Sequence, residues 1–270
     1  MLEAITAPWH LIVAGGFGIG FLVGMTGVGA GALTTPLLIT GVGLSPVVAV
    51  GTDLLFAALT KASAAWRHHR LFNIDYSVLG WLAAGSLPGA ALMLAWIYLA
   101  QPDTHQLAIL IRKGLAFALL ASALAIALYP LVTRGRPAAV GIDMPAAAAV
   151  GRRRWQTLAL GLVLGTLVAL TSVGAGSIGV TILTALYPAM LARRLIGTDV
   201  VHAIPLTLLS GLGHAGLGNV DFGVLGLLLL GSIPGIAFGT RVTGLLPDWL
   251  LRLALALVML NAAWLLWAKT

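Results

Sequence analysis

From Leu158 to Tyr187 the chain runs thirty residues without an Asp, Glu, Lys or Arg, and from Pro8 to Thr40 it runs thirty-three. A thirty-three-residue helix would be about 50 Å long, against a bilayer hydrocarbon core of about 30 Å. Runs of this kind cannot be covered in water by the rest of the molecule. Only 9% of the 270 residues are charged and 60% are hydrophobic, with mean hydropathy +1.04. A soluble domain carries about 25% charged residues. The chain therefore reads as an integral membrane protein. Long apolar runs parted by short polar loops make it helical rather than a β-barrel.

Other classes fall away quickly. Met1 to His10 holds no Lys or Arg, and no small-residue cleavage site follows a short apolar core, so no cleaved leader is expected. With no Cys, disulfides, thiolate metal sites and cysteine nucleophiles are excluded. Neither a metal nor a cofactor is expected. The net charge of +7 reflects orientation rather than nucleic-acid binding, because the basic residues gather in loops such as GRRRW, Gly151 to Trp155.

Each long apolar run holds nearly the same string, TGVGAG at Thr26 to Gly31 and TSVGAG at Thr171 to Gly176. Three further pairs follow at a spacing of 146 residues. GTD at Gly51 recurs at Gly197, FNIDY at Phe72 matches GNVDF at Gly218, and GSLPG at Gly85 matches GSIPG at Gly231. Ordered matches at constant spacing mark an internal duplication. One transmembrane domain, 1–270, is expected, with repeat 1 at about 8–133, a linker at about 134–154 and repeat 2 at about 155–268. Each repeat opens on its interrupted apolar segment and continues with three ordinary spans, roughly 46–66, 77–99 and 114–133, then 195–215, 223–244 and 249–267.

The opening segment is too long for one crossing, with the glycine run near its middle. Two readings stand at this point. One is a re-entrant or broken helical hairpin with the run at its tip; the other is a tilted helix with a small-residue packing face. Charge favours the hairpins. They give the halves inverted topology and put 12 of the 15 Lys and Arg inside, Arg112, Lys113 and Lys269 lying outside. Full crossings give 9 inside and 6 outside. The expected fold is thus an all-α membrane protein of two inverted-topology repeats, each a hairpin plus three transmembrane helices, with both termini periplasmic.

Irregular backbone at membrane depth is tolerated where it is buried in protein or lines a wet cavity. A half-helix beginning after each tip directs free N–H groups and partial positive charge inward, which suits an anion. Glycine allows close approach, and hydroxyls add donors. The candidate substrate-binding residues are Thr26, Gly27, Gly29, Gly31, Thr171, Ser172, Gly174, Gly176 and Ser177.

GFLVGMTGVGAGALTTPLL with SPVVAVGTDLLFAALTK, and TSVGAGSIGVTILTALYP with GTDVVHAIPLTLLSGLGHAGLGNVDF, resemble the sulfite exporter TauE/SafE family of transporters. The resemblance covers almost the whole chain. It implies transport of small anions across the bacterial inner membrane, typically sulfur oxyanions or organosulfonates such as sulfite and sulfoacetate. Two departures bear on pocket shape. Many members carry three consecutive glycines where this chain has Gly29, Ala30, Gly31 and Gly174, Ala175, Gly176, and Pro36 is answered by Thr181 in the second half.

Four polar residues inside the spans stand out as coupling or structural groups: Asp53, Asp199, His202 and Lys61. Asp53 and Asp199 hold equivalent places, either cycling a proton during transport or accepting bonds from the tip. Asp199, read as nearer its span end, leans structural. Lys61 reads as snorkelling to the inner face. His202 reads as a helix residue satisfied by a carboxylate, or as a proton relay. His214, aligned with His68, is expected near an interface.

The leading function is a secondary transporter of a small anion, with proton coupling as an option. The absence of a Walker motif sets ATP hydrolysis aside. A passive anion channel is the alternative. An intramembrane enzyme is weaker, since AGSIG lacks the first Gly of a nucleophile elbow. The partners implied are the small anion and the bilayer, with no nucleic acid; a homodimer is compatible with the sequence.

Overall fold

The computed structural model describes residues 7–26, 31–133, 146–242 and 247–268, and these are helical with no strand among them. The helices are α1 Trp9–Thr26, α2 Gly31–Leu37, α3 Pro46–Arg70, α4 Tyr76–Ala100, α5 Thr104–Thr133, α6 Ala146–Thr171, α7 Ile178–Leu186, α8 Ala192–Gly216, α9 Phe222–Arg241 and α10 Asp248–Ala268. A π-helical turn, Leu38–Val42, prolongs α2 and stops at Gly43, whose left-handed backbone (φ 87°) lets its N–H reach the Leu38 carbonyl.

Eight of these helices are long and apolar enough to cross a membrane, α2 and α7 being the short ones. The second long apolar segment breaks between α6 and α7, as the hairpin reading expects there, while in the first α1 and α2 flank residues outside the described set; in both, the arms are unequal. α1 has 18 residues, about 27 Å, so the first arm alone nearly matches the hydrocarbon core. The reason lies in its packing. Gly16, Gly20 and Gly24 lie against the backbone of Leu228, Ser232 and Ile236 on α9, where any Cβ would collide. That contact keeps a glycine-rich helix regular up to its last turn.

The contacts come in pairs that exchange the halves. α1 packs on α9 and α6 on α4, while α3 packs on α8 and α5 on α10. On α4, Gly85 and Gly89 meet the Leu158 and Leu162 carbonyls of α6; on α9, Gly231 and Gly235 meet those of Val13 and Phe17. Rising numbers on both members mean that α1 runs parallel to α9 and α6 parallel to α4. On α3 and α8 the order reverses: Gly211 meets Leu55, whereas Gly197 meets His68 and Asn73. These two helices are antiparallel.

The remaining paired motifs are joints between the halves. The Asp75 carboxylate caps α4, accepting from the Ser77 and Val78 N–H at 3.0 Å, and its own N–H donates to Thr198 Oγ1 at 2.8 Å. Asp221 caps α9 through the Val224 N–H at 2.9 Å, and its N–H donates to Thr52 Oγ1 at 3.0 Å. The Thr of each GTD string thus anchors the cap of the opposite half.

Candidate functional site

The second tip is built by backbone that α-helix cannot continue. α6 ends where the Thr171 hydroxyl donates to the Leu167 carbonyl (2.7 Å) and accepts the Val173 N–H at 3.2 Å. Ser172, Gly174 and Gly176 then take positive φ of 61°, 130° and 113°. At two of those three places glycine carries the left-handed turn without strain; at Ser172 the same conformation costs about 1–2 kcal/mol. α7 starts after Ser177, whose Oγ donates to Ser122 Oγ on α5 at 2.8 Å.

The two tips touch. A Cβ on Gly31 would run into the Ser172 carbonyl and lie 3.2 Å from its hydroxyl. Beside this contact Asp53 is fully buried and accepts from Thr35 Oγ1 at 2.5 Å, with the Thr34 and Ser172 hydroxyls alongside. Asp199, also fully buried, faces the Gly176 N–H and the bare face of Gly179 at the start of α7. Neither of its oxygens makes a regular hydrogen bond. One of the protein's own carboxylates thus lies beside each short helix, where sequence reasoning puts a substrate anion.

Several expectations change. Asp53 and Asp199 are each the eighth residue of a 25-residue helix, so Asp199 is no nearer an end than its counterpart. Lys61 does not snorkel: it is only 9% exposed and lies within electrostatic reach of both carboxylates. The imidazole of His202 meets Ser86 Oγ of α4 at 2.6 Å rather than a carboxylate. His214 keeps its place near a helix end, two residues before the last of α8, and is fully buried there, its Nε2 3.0 Å from the Ala169 carbonyl, because α3 and α6 close over it. Helical periodicity alone does not reveal such closure. The Thr26 and Thr171 hydroxyls turn back on the Leu22 and Leu167 carbonyls, each at 2.7 Å. Gly27 and Gly29 lie outside the described residues.

A cavity of about 90 Å³ opens beside the second tip. Its lining includes Thr26, Gly176, Ser177 and Asp199 from the predicted set, together with Thr181 of α7, Tyr129 of α5 and Arg252 of α10. Gly31, Thr171, Ser172, Gly174, Asp53, Lys61 and His202 stand outside that lining. Arg252 sits 4.5 Å from the centre of the Tyr129 ring. A pocket this small suits a small ion; drug-sized ligands occupy about 300–1,000 Å³. Sequence reasoning used Arg252 only to orient the chain, although a charge on the fifth residue of the last helix was itself a signal. Among the described residues no three His, Asp or Glu side chains gather as metal ligands would.

The description "Sulfite exporter TauE/SafE" matches residues 12–266, and the chain belongs to that family. Two Bacillus subtilis proteins are similar to it. "Probable membrane transporter protein YjnA" is 36% identical, the alignment covering 86% of this chain and 89% of the relative. "Probable membrane transporter protein YdhB" is 28% identical over 95% and 99% respectively. No solved structure gives a significant match.

Proposed function

We propose that this chain is a secondary transporter in the bacterial inner membrane that moves a small anion of the sulfur oxyanion or organosulfonate class together with protons. The observation that carries the reading is the juxtaposition of Arg252, the Gly176 N–H and an unbonded Asp199 in one small cavity at a helix break. Arg252 offers a guanidinium fork suited to oxyanions. Ser177 and Thr181 add hydroxyl oxygens. The family description supplies the sulfur oxyanion class, and both relatives carry transporter names.

The same reading includes inverted halves, supported by the directions of the helices. α3 runs antiparallel to α8, and α8 reverses into α9 through a short turn, so α3 shares its direction with α9 and hence with α1. Two successive long helices can share a direction only if the short α2 segment between them turns back. The equivalent argument through α4 and α6 makes α7 turn back in the second half. Parallel repeats would need α3 and α8 to run the same way.

Purified protein in liposomes, offered sulfite, thiosulfate, sulfate, sulfoacetate and simple carboxylates, tests the reading. Concentrative uptake of a sulfur oxyanion or sulfonate under an imposed pH gradient is expected. Flux that only runs down its own gradient would make the protein a channel, and uptake of carboxylates alone would overturn the substrate class.

A further inference from the structure

Building on the reading of the chain as a proton-coupled anion carrier, we propose that Asp199, and not its counterpart Asp53, carries the transported proton, and that proton and anion cross in the same direction. The two halves differ at two positions that decide this. At the spacing of the glycine runs, Thr34 and Thr35 of α2 correspond to Gly179 and Val180 of α7. The threonines surround Asp53 and one donates to it at 2.5 Å. Their replacements offer Asp199 no hydroxyl, and both of its oxygens lack a partner although the residue is fully buried. Asp199 lines the cavity; Asp53 does not.

The charged and titratable neighbours of Asp199 are few. Lys61 reaches it from α3, and Arg252 of α10 and Tyr129 of α5 share its cavity. His202, one turn along α8, is held by Ser86 of α4. α7 carries no titratable side chain. The arginines of α6 lie at its far end, where Arg153 donates to the Leu186 carbonyl.

A carboxylate and a substrate anion exclude each other in about 90 Å³. The ionised carboxylate faces the Gly176 N–H and draws on Lys61. A proton from water on one side, bound to an Asp199 oxygen, removes that negative charge and leaves the N–H and Arg252 to the anion. After the anion departs, the proton passes to water on the other side and the carboxylate returns to Gly176 and Lys61. One proton travels per anion, and no bond of the anion changes.

The test compares Asp199→Asn, Asp53→Asn and wild type in liposomes, measuring uptake with and without an inward proton gradient alongside anion counterflow at equal pH. Asp199→Asn is expected to lose the acceleration by the gradient, whatever counterflow rate remains, whereas Asp53→Asn keeps the acceleration at lower yield. Val180→Thr supplies the hydroxyl that Asp53 enjoys. A donor favours the ionised carboxylate, so its uptake midpoint should move to lower pH. That variant keeps the carboxylate and decides the matter if the Asn variant does not fold. A gradient response retained in Asp199→Asn, an unmoved midpoint in Val180→Thr, or a response lost in both Asn variants would overturn the assignment. A wild type that moves anions without any gradient response overturns it too while leaving anion transport standing; a wild type that moves none of the anions removes the carrier reading instead.

Discussion

The first tip is a joint and the second a chamber, although the sequence writes them almost alike. At the first, Gly31 presses on Ser172, and Thr35 donates to one oxygen of Asp53. At the second, Gly179 and Val180 leave Asp199 unbonded beside a cavity that Arg252 enters from the last helix. The two halves supply similar frames, and a pair of hydroxyls present in one and absent from the other sets them apart. A buried carboxylate with a hydroxyl donor is less costly to hold than one with none.

The comparison can be broken most forcefully at Arg252. Arg252→Ala removes the guanidinium from the chamber and should weaken anion binding by about 2 kcal/mol or more, roughly thirtyfold, read as a raised half-saturation concentration for uptake. Normal half-saturation would move the binding site elsewhere. Next comes the contact between the tips. Gly31→Ala drives a methyl group into the Ser172 carbonyl and should cost about 1–3 kcal/mol in thermal or denaturant stability. Gly18→Ala, with open space around it, serves as the neutral control.

Thr35→Val strips the brace from Asp53 and should cost about 1–3 kcal/mol, measured in the same way. Equal melting of Thr35→Val and wild type would mean that the first tip is no more braced than the second. The smallest difference concerns the caps. Asp221→Ala should cost about 1 kcal/mol, and Asp75→Ala somewhat more, because Asp75 accepts two N–H groups and lies 3.7 Å from Arg194. The order of their melting temperatures checks this.

Much of this was legible in the chain. The repeated strings announced paired halves, and the excess length of the opening segments announced the break seen between α6 and α7, because both are local properties. What was not legible depended on which helix lies beside which. Nothing in a sequence brings Arg252 of the last helix to Gly176, or Ser86 to His202, since those encounters arise from packing across the halves. The substitution of Thr34 and Thr35 by Gly179 and Val180 was visible in the aligned repeats. Its meaning needed the neighbouring carboxylates to be placed on the same face.

The exchange of partners between halves also shapes how the protein is made. A ribosome delivering this chain to the membrane produces α1 first, with the glycine face that packs on α9 in the finished protein, about two hundred residues downstream. At about 5–20 residues per second that partner arrives some 10–40 s later. Meanwhile α4 waits for α6, and the cap of α4 waits for Thr198. The first half thus enters the bilayer as an unfinished set of helices whose grooves are filled by lipid or by the insertion machinery. Neither half can cover its own glycine faces, and a stalled or truncated nascent chain would present the quality-control proteases with the close-packing surfaces that the finished protein hides.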